Sequence, residues 1–332
     1  MAEFHTWRNK QRHWLKDAVP LDMPYSMHIT VSQICNLRCC YCSQSVNPGN
    51  ELMTMETYNK IIAGIKEFPR KLSLLDLYGD GEPLCNPHFA EMVSLAKTND
   101  VADKIGVTTN GLLFTKKRID EIIDAGIDII RISIQGINAE TYKRVSGVDI
   151  DFEKFLETLA YLYKRKNQCK INIKIADIAI NDIPNGDERF KAMFGDIADT
   201  IFIEHIIPLY RSVDYGDADS SIKKNAQNGR NGMVQTEMHK VCYRPFIKML
   251  IRANGNVTSA CTDPTTDVVY GNVHSDSLVD CWNGEKRRAF LKMQLEGKRF
   301  QRPECSDCIV PNDVAYEEDL LDPWADEILK RF

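Results

Sequence analysis

The segment ITVSQICNLRCCYCSQS, residues 29–45, holds a dense group of cysteines. Cys35, Cys39 and Cys42 are separated by three and then two residues, so one loop can wrap their thiolates around a single compact centre. Three thiolates suit an iron–sulfur cubane that keeps one iron open, whereas structural zinc needs four closed ligands. Zinc lacks an evident fourth local ligand here, because Cys40 adjoins Cys39 and is expected to point away. The spacing therefore predicts an iron–sulfur cluster, with zinc as the alternative.

The residues that follow this segment predict a parallel α/β domain. Short runs rich in Ile, Val and Leu alternate with helical patterns, as expected for strands that are buried in a parallel sheet. The predicted strands are residues 25–31, 71–77, 104–109, 127–134, 170–178 and 200–207. The predicted helices are residues 53–68, 88–98, 116–125 (followed by a Gly126 cap) and 152–166. Six successive βα-type units imply an open sheet or a partial barrel, with the cysteine loop at the ligand-binding, carboxyl end of its strands.

Composition limits the classes of function. The chain has 332 residues, a net charge of −5 and 11 cysteines. Its acidic and basic residues are mixed, so no basic stripe indicates a nucleic-acid partner. We find neither an apolar run of about 18 residues nor a signal peptide, and therefore expect a cytoplasmic protein without membrane contact. Clustered cysteines in such a chain indicate metal binding before disulfide bonds.

Changes in composition predict five segments. These are an N-terminal extension (1–24), a parallel α/β domain (25–209), a linker or loop (210–240), a cysteine-rich domain (241–312) and a C-terminal tail (313–332). The linker is polar and contains several glycines. The cysteine-rich domain shows little periodicity, so a metal cluster is the expected source of its stability.

Three further motifs stand at the ends of predicted strands. LYGDGEP, residues 77–83, has two glycines that let the backbone approach a ligand closely, and Glu82 offers a carboxylate for a cation. A simple turn is the alternative for this motif. TTNG, residues 108–111, predicts a tight turn with a polar contact from Asn110. In RISIQG, residues 131–136, Ser133 and Gln135 have the same parity, so both are expected to face the barrel interior.

CNLRCCYC resembles the signature of the radical S-adenosylmethionine (SAM) superfamily, C-x3-C-x-aromatic-C, with Tyr41 at the aromatic position. The resemblance implies a partial (β/α)6 TIM-like barrel with a small C-terminal cysteine-rich iron–sulfur domain. It also implies that SAM chelates the open iron of a [4Fe–4S] cluster on Cys35, Cys39 and Cys42. Reductive cleavage of SAM would give a 5′-deoxyadenosyl radical that takes a hydrogen atom from substrate.

The same resemblance implies a set of SAM contacts. Tyr41 would lie against the adenine, the G-x-G-E-P element would bind the ammonium, and Ser133 and Arg144 would bind the ribose or carboxylate. The ordinary alternatives are a strand-end serine and a solvated helix arginine. The implied SAM-binding residues are Tyr41, Gly79, Gly81, Glu82, Pro83, Asn110, Ser133 and Arg144.

Residues 241–312 resemble the SPASM extension of radical SAM enzymes, which binds auxiliary clusters. A cysteine, a hairpin turn at Asn254-Gly255-Asn256, a second cysteine and a closing C-x2-C pair occur in the family's order. Gly255 stands one residue farther from the second cysteine than usual, and the cysteines for a second auxiliary cluster are missing. The resemblance implies one auxiliary [4Fe–4S] cluster, with a zinc ribbon as the alternative, held by Cys242, Cys261, Cys305 and Cys308.

The resemblance implies oxidation (dehydrogenation) or epimerisation of a carbohydrate-like small molecule, with electrons from a flavodoxin- or ferredoxin-type donor. Only about 24 residues precede the first predicted strand, which disfavours a peptide-docking module. Cys281 is expected to be a buried structural thiol, and a hydrogen donor if it faces the substrate. The alternatives are a maturase that modifies a ribosomal peptide, a non-catalytic iron–sulfur electron carrier and a zinc-stapled binding module.

Overall fold

One mixed sheet organises the computed structural model, which describes residues 2–4, 13–215, 222, 238–312 and 316–332. The strands of this part of the chain are β1 (Glu3–Phe4), β2 (Ser26–Ile29), β3 (Leu72–Asp76), β4 (Ala102–Thr109), β5 (Ile129–Ile134), β6 (Lys170–Ala176), β7 (Thr200–Glu204), β8 (Lys248–Ile251), β9 (Asn256–Thr258) and β10 (Val269–Asn272). Their spatial order is β1-β7-β6-β5-β4-β3-β2-β8-β9-β10. Strands β2 to β7 are parallel neighbours in chain order, so the predicted six-unit parallel arrangement is confirmed.

Helices connect the parallel strands. In the described residues the α-helices are Leu15–Ala18, Met55–Ile65, Phe89–Thr98, Lys116–Asp124, Ala139–Ser146, Phe152–Arg165, Gly186–Phe194, Arg244–Ile247, Leu278–Asn283, Glu285–Leu295, Pro303–Ser306 and Ala325–Leu329. Four of them begin where a side chain accepts a hydrogen bond from an otherwise unpaired backbone N–H, at Thr54, Thr115, Asn138 and Asp151. All six predicted strands and all four predicted helices are confirmed, with ends that differ by three residues or fewer.

The two faces of the parallel sheet differ in burial, and this difference defines the barrel interior. Side chains that face the helices, such as Ile130, Ile132 and Ile134 on β5, are 0% exposed. On the opposite face of β5, Arg131 and Ser133 are partly exposed, and β6 shows the same alternation. The interior is therefore a polar, accessible space, unlike the packed interior of a closed eight-stranded barrel.

The cysteine-rich region continues the barrel sheet across the predicted boundary at residue 241. Strand β8 pairs in parallel with β2, with Lys248 opposite Ser26, and the β8–β9 hairpin turns at Gly255. Gly255 has φ +85, a conformation that favours glycine, so the predicted hairpin turn is confirmed. Most of the predicted loop 210–240 lies outside the described residues.

The predicted N-terminal extension and C-terminal tail contribute to the folded structure. Strand β1 adds to the sheet edge beside β7. A second apolar cluster joins both segments to the cysteine-rich region through Leu15, Val19, Val241, Phe246, Leu291, Leu295, Leu321 and Ile328. Buried apolar residues spaced along an otherwise acidic tail explain this packing. In the part of the chain that the structure describes, every helix is too short or too polar to span a bilayer.

Candidate active site

The loop after β2 carries Cys35, Cys39 and Cys42 at the carboxyl end of the parallel strands. Cys39 is buried and the other two are partly buried, whereas Cys40 is exposed. Burial raises the pKa of Cys35 to about 12, and the neighbouring Cys42 thiol contributes to that rise. The pKa of Cys39 is raised by burial and then by Cys42 and Cys35, so the three thiols lie close together. This donor set fits a cationic iron–sulfur cluster, which would offset the repulsion between thiolates.

Backbone hydrogen bonds fix this loop against the end of the helix Ala139–Ser146. The backbone N–H of Arg38 donates to the Ser146 carbonyl at 2.9 Å, and that of Cys40 donates to the Val145 carbonyl at 2.9 Å. Within the loop, the Cys42 N–H donates to the Cys39 carbonyl at 2.9 Å. These bonds fix the backbone at Cys40, whose side chain is exposed while Cys39 is buried.

The glycines of the 77–83 motif bring two loops into contact. A Cβ on Gly81 would lie 2.5 Å from the Gln33 carbonyl carbon, and a Cβ on Gly79 would overlap the Thr30 side chain. The Glu82 N–H donates to the Ile34 carbonyl at 2.8 Å, which joins this motif to the cysteine loop. In this structure the close approach by the backbone is made to the segment that follows β2, from Thr30 to Ile34.

Glu82 connects the segments that follow β3 and β4 through its carboxylate. It is 3% exposed, and its Oε1 accepts hydrogen bonds from the Leu84 N–H at 3.0 Å and the Thr109 hydroxyl at 2.5 Å. Its Oε2 accepts from the Asn110 N–H at 2.7 Å. Burial raises the pKa of Glu82, and these three donors oppose that rise. Because a carboxylate has about four acceptor positions, Oε2 retains room for one more donor.

Asn110 and Pro83 complete the frame around the cysteine loop. Asn110 Nδ2 donates to Asn36 Oδ1 at 2.7 Å, and Asn110 Oδ1 accepts from the Leu112 N–H at 3.0 Å. The predicted polar contact of Asn110 is thus made to the cysteine loop. Pro83 begins a short 3₁₀ turn, Pro83–Cys85, directly after Glu82. The loops after β2, β3 and β4 form one hydrogen-bonded unit.

The end of β5 reaches the same site from the other side. The Tyr41 hydroxyl donates to Gln135 Oε1 at 2.6 Å, and Gln135 Nε2 donates to the Ser133 carbonyl at 3.3 Å. Ser133 is partly exposed on the interior face of β5. The structure therefore brings Tyr41, Ser133 and Gln135 together beside the cysteine loop.

Arg144 has a different environment from the expected one. Its Nη2 forms an ion pair with Asp182 Oδ1 at 2.8 Å, and its side chain is 46% exposed. This environment favours the ordinary alternative of a solvated helix arginine. The expected contact of Arg144 with SAM stays a prediction.

The four cysteines of the C-terminal region surround one cavity of about 300 Å³. Its walls include Cys242, Cys261, Cys305 and Cys308. Within the described residues, no three His, Cys, Asp or Glu side chains form a group suited to a single metal ion. Four thiols that line one cavity fit a cluster that gives each thiolate its own iron.

Arg299 stabilises one wall of this cavity and was not found from the sequence. It is 1% exposed, and its Nη1 and Nη2 donate to the Cys305 and Cys308 carbonyls at 2.6 and 3.0 Å. Its Nε donates to the His239 carbonyl at 2.9 Å. The guanidinium fixes the C-x2-C turn and adds positive charge beside the thiols.

Cys281 lies in the apolar core, away from this cavity. Its side chain is 4% exposed, and a Cβ on Gly271 would lie 2.6 Å from its Sγ. It does not line the cavity of the four cysteines. The expected buried structural thiol fits this position, whereas a hydrogen donor would need access to the substrate.

A buried ion network joins the two cysteine regions. Arg252 Nη1 donates to Asp80 Oδ1 at 2.5 Å, and its Nε donates to Asp267 Oδ2 at 2.7 Å. Arg252 Nη2 donates to the Cys261 carbonyl at 3.1 Å. On the other side, Gln44 Nε2 donates to the Asp80 carbonyl at 2.7 Å. Arg252 thus connects the loop after β3 with the cavity wall.

Replacing Arg252 by Met is expected to lower the free energy of unfolding by about 3–5 kcal/mol, because Asp80 and Asp267 would remain buried without a countercharge. Arg70→Met is the control, since Arg70 forms an exposed ion pair with Asp22 and should change stability by less than about 1 kcal/mol. Denaturant unfolding of the holoprotein measures both. Equal losses in the two variants would contradict a structural role for the network.

The comparisons with known proteins agree with this arrangement. The chain matches the model of the radical SAM superfamily over residues 29–175 and that of the SPASM iron–sulfur cluster-binding domain over residues 242–309. It is 22% identical over 336 residues to the tungsten-containing aldehyde ferredoxin oxidoreductase cofactor-modifying protein of Pyrococcus furiosus, covering 91% of this chain and 92% of that protein. It is 27% identical over 304 residues to the probable GTP 3′,8-cyclase of Methanococcus maripaludis, covering 84% and 97%. Other GTP 3′,8-cyclases are matched over about half of their length.

A solved structure shows the same fold. The protein anSMEcpe with bound AdoMet superposes with a TM-score of 0.62 at 16% identity, covering 92% of this chain and 99% of that chain. Family matches at both cysteine regions and this shared fold lead to one conclusion. The chain belongs to the radical SAM superfamily and carries a C-terminal SPASM domain, so its cofactors are a [4Fe–4S] cluster, SAM and an auxiliary cluster.

Proposed function

We propose that Cys35, Cys39 and Cys42 hold the catalytic [4Fe–4S] cluster and leave one iron open to SAM. The observation that carries this proposal is the grouping of these three thiols on one loop, with Cys40 exposed. When bound, the cluster and SAM supply reductive cleavage of SAM and removal of a hydrogen atom from the substrate. The protein's own part is to fix the loop, bind SAM beside it and exclude water.

The proposed SAM site is the frame that surrounds this loop. Oε2 of Glu82 has acceptor capacity for the SAM ammonium, and Tyr41 is oriented by its hydrogen bond to Gln135. Arg144 is left out because it pairs with Asp182. The residues proposed to contact SAM are Tyr41, Gly79, Gly81, Glu82, Pro83, Asn110 and Ser133.

Glu82→Gln is expected to weaken SAM binding about 10–100-fold. The amide removes the charge that would pair with the ammonium and turns an NH₂ group towards backbone donors. Glu91→Gln is the matched control, because Glu91 is exposed and pairs only with His88 in the described residues. Equilibrium dialysis of SAM against reconstituted protein, with iron content as the check on folding, measures the effect. Unchanged affinity in Glu82→Gln would remove Glu82 from the SAM site.

We further propose that Cys242, Cys261, Cys305 and Cys308 hold the auxiliary [4Fe–4S] cluster. All four line one cavity, and Arg299 fixes the turn that carries the last two. A cluster with four thiolate ligands has no open iron for substrate, so its proposed task is to pass an electron. Removal of an electron from the substrate radical would complete a dehydrogenation. Epimerisation would instead need a hydrogen donor, and the thiol considered for that role, Cys281, lies in the apolar core. We therefore favour dehydrogenation.

The proposed substrate is a carbohydrate-like small molecule. The interior of the barrel is polar and accessible, which suits a hydroxylated substrate. The relative named GTP 3′,8-cyclase is named for a small molecule, and this supports the choice of a small substrate. The structure of anSMEcpe was also solved with a bound peptide, which keeps a ribosomal peptide as the second candidate.

The formation of 5′-deoxyadenosine tests this function. Anaerobically reconstituted and reduced protein is expected to form 5′-deoxyadenosine from SAM, and sugars or aminocyclitols should increase the rate. An increase with short peptides alone would replace the proposed substrate class. Absence of 5′-deoxyadenosine under every condition would contradict the enzymatic function.

A further inference from the structure

Charged side chains meet inside the barrel, below the cysteine loop. His28 on β2, Asp76 on β3 and Arg131 on β5 are in contact: Arg131 Nη1 lies 2.7 Å from Asp76 Oδ1, and His28 Nε2 lies 3.5 Å from Asp76 Oδ2. A Cβ on Gly106 of β4 would lie 2.5 Å from Asp76 Oδ1 and 3.1 Å from Arg131 Nη1. Glycine at this position makes room for the ion pair.

Lys248, the first residue of β8, faces the same space, because it has the same parity on the strand as Leu250, which lies opposite His28. Its positive charge, with those of Arg131 and Arg244, lowers the pKa of His28, although burial is the largest cause of that shift to about 3. Burial and Arg244 lower the pKa of Lys248 to about 8, so its ammonium remains largely protonated at neutral pH. Within the described residues, the Lys248 Nζ has neither a hydrogen bond nor an ion pair.

Lys248 is the cation of this group whose charge is least compensated. Arg131 pairs with Asp76, and Arg244 lies close enough to Cys242 to oppose the rise in the pKa of that thiol. Lys248 is partly buried, and a cation that is partly withdrawn from water without an ion-pair partner is destabilised. An anion bound beside Lys248 would offset that destabilisation.

The distance from this group to the proposed SAM site suits one small molecule. Arg131 lies on β5, and Gln135 follows it by four residues, directly after the end of that strand. Gln135 accepts a hydrogen bond from Tyr41 beside the cysteine loop. A strand rises about 3.3 Å per residue, so the two levels are separated by about 13 Å. A substrate with an anionic group at one end could reach the proposed site of hydrogen removal with the other.

We propose that Arg131 and Lys248 bind an oxyanion, a phosphate or a carboxylate, of a small anionic substrate. The inference rests on the proposed function for the claim that this oxyanion belongs to the substrate. The guanidinium of Arg131 supplies a planar donor pair, and Lys248 supplies a compact charge across the barrel. Arg244 adds to the field that attracts the anion.

Isothermal titration calorimetry with inorganic phosphate, and in a second arm with acetate, tests the site on the reconstituted holoprotein. Wild type is expected to bind at least one of these anions. The anion that binds more tightly identifies the group as a phosphate or a carboxylate. Lys248→Met should weaken that binding at least about tenfold. Lys292→Met is the control, because Lys292 is another partly buried lysine, on the helix Glu285–Leu295, and its loss changes net charge equally.

Two outcomes would overturn the proposal: wild type that binds neither anion, or Lys248→Met that binds as tightly as Lys292→Met. Should Lys248→Met fail to fold, judged by iron content and circular dichroism, Arg131→Lys takes its place. That variant keeps the charge beside Asp76 and loses the planar donor pair, so it should still weaken binding. SAM cleavage by wild type is measured separately. Cleavage without anion binding refutes this inference alone, and anion binding without cleavage refutes the proposed function alone.

Discussion

Replacement of any one of Cys35, Cys39 and Cys42 by Ala is expected to reduce SAM cleavage to background. A cluster that leaves one iron open has only three protein ligands, so each thiolate is indispensable. The three side chains also lie close together and share one buried environment, whereas the Cys40 side chain in the same loop is exposed. Anaerobic assay of 5′-deoxyadenosine after reduction measures the loss.

Cys40→Ala is the matched control for these variants. Cys40 lies in the same loop, but its side chain is exposed and its backbone is held by the Val145 carbonyl, a bond that alanine retains. It should therefore keep iron and SAM cleavage near the wild-type level. Cleavage that survives in Cys39→Ala, or that is lost in Cys40→Ala, would contradict the ligand assignment.

The double replacement of Cys305 and Cys308 by Ala is expected to remove the auxiliary cluster and leave SAM cleavage without substrate in place. Iron per chain should fall from roughly eight to about four, since each cubane holds four irons. The turn itself should persist, because Arg299 bonds the two backbone carbonyls and not the thiols. Substrate turnover should be lost, since the electron has no acceptor.

Cys281→Ala is the control for this second pair. It removes a buried thiol from the same region without touching the cavity, so iron content should remain and only a small loss of stability is expected. Loss of both clusters in the double variant would show that the two cysteine sets are not independent. Arg252 and Gln44, which link the two regions, would then be the route of that dependence.

The sequence pattern predicted the architecture well, because strand burial and cysteine spacing are local features. The six parallel strands follow from apolar runs, and the β8–β9 hairpin follows from Gly255 with its flanking asparagines. The pairing of β8 with β2 could not be predicted, since it joins residues more than two hundred positions apart in sequence. The C-terminal hairpin, which belongs to the SPASM domain, therefore extends the barrel sheet.

Side-chain roles were predicted less completely, because they depend on contacts between distant loops. Glu82 was identified from its motif, but its bonds to Thr109 and Asn110 are visible only in the structure. Arg252 had a signal in the sequence: a charge directly after the apolar run MLI, residues 249–251, needs a partner if it is buried. Arg144 shows the reverse case, in which a motif position is occupied by a residue that pairs at the surface.

The most direct test of the whole account is the amount of iron and sulfide per chain after anaerobic reconstitution, measured on wild type and on the Cys35/Cys39/Cys42 triple Ala variant. The account predicts roughly eight irons in wild type and about four in the variant, from one catalytic and one auxiliary cubane. About four irons in wild type and none in the variant would contradict it, because the four C-terminal cysteines would then hold no iron–sulfur cluster.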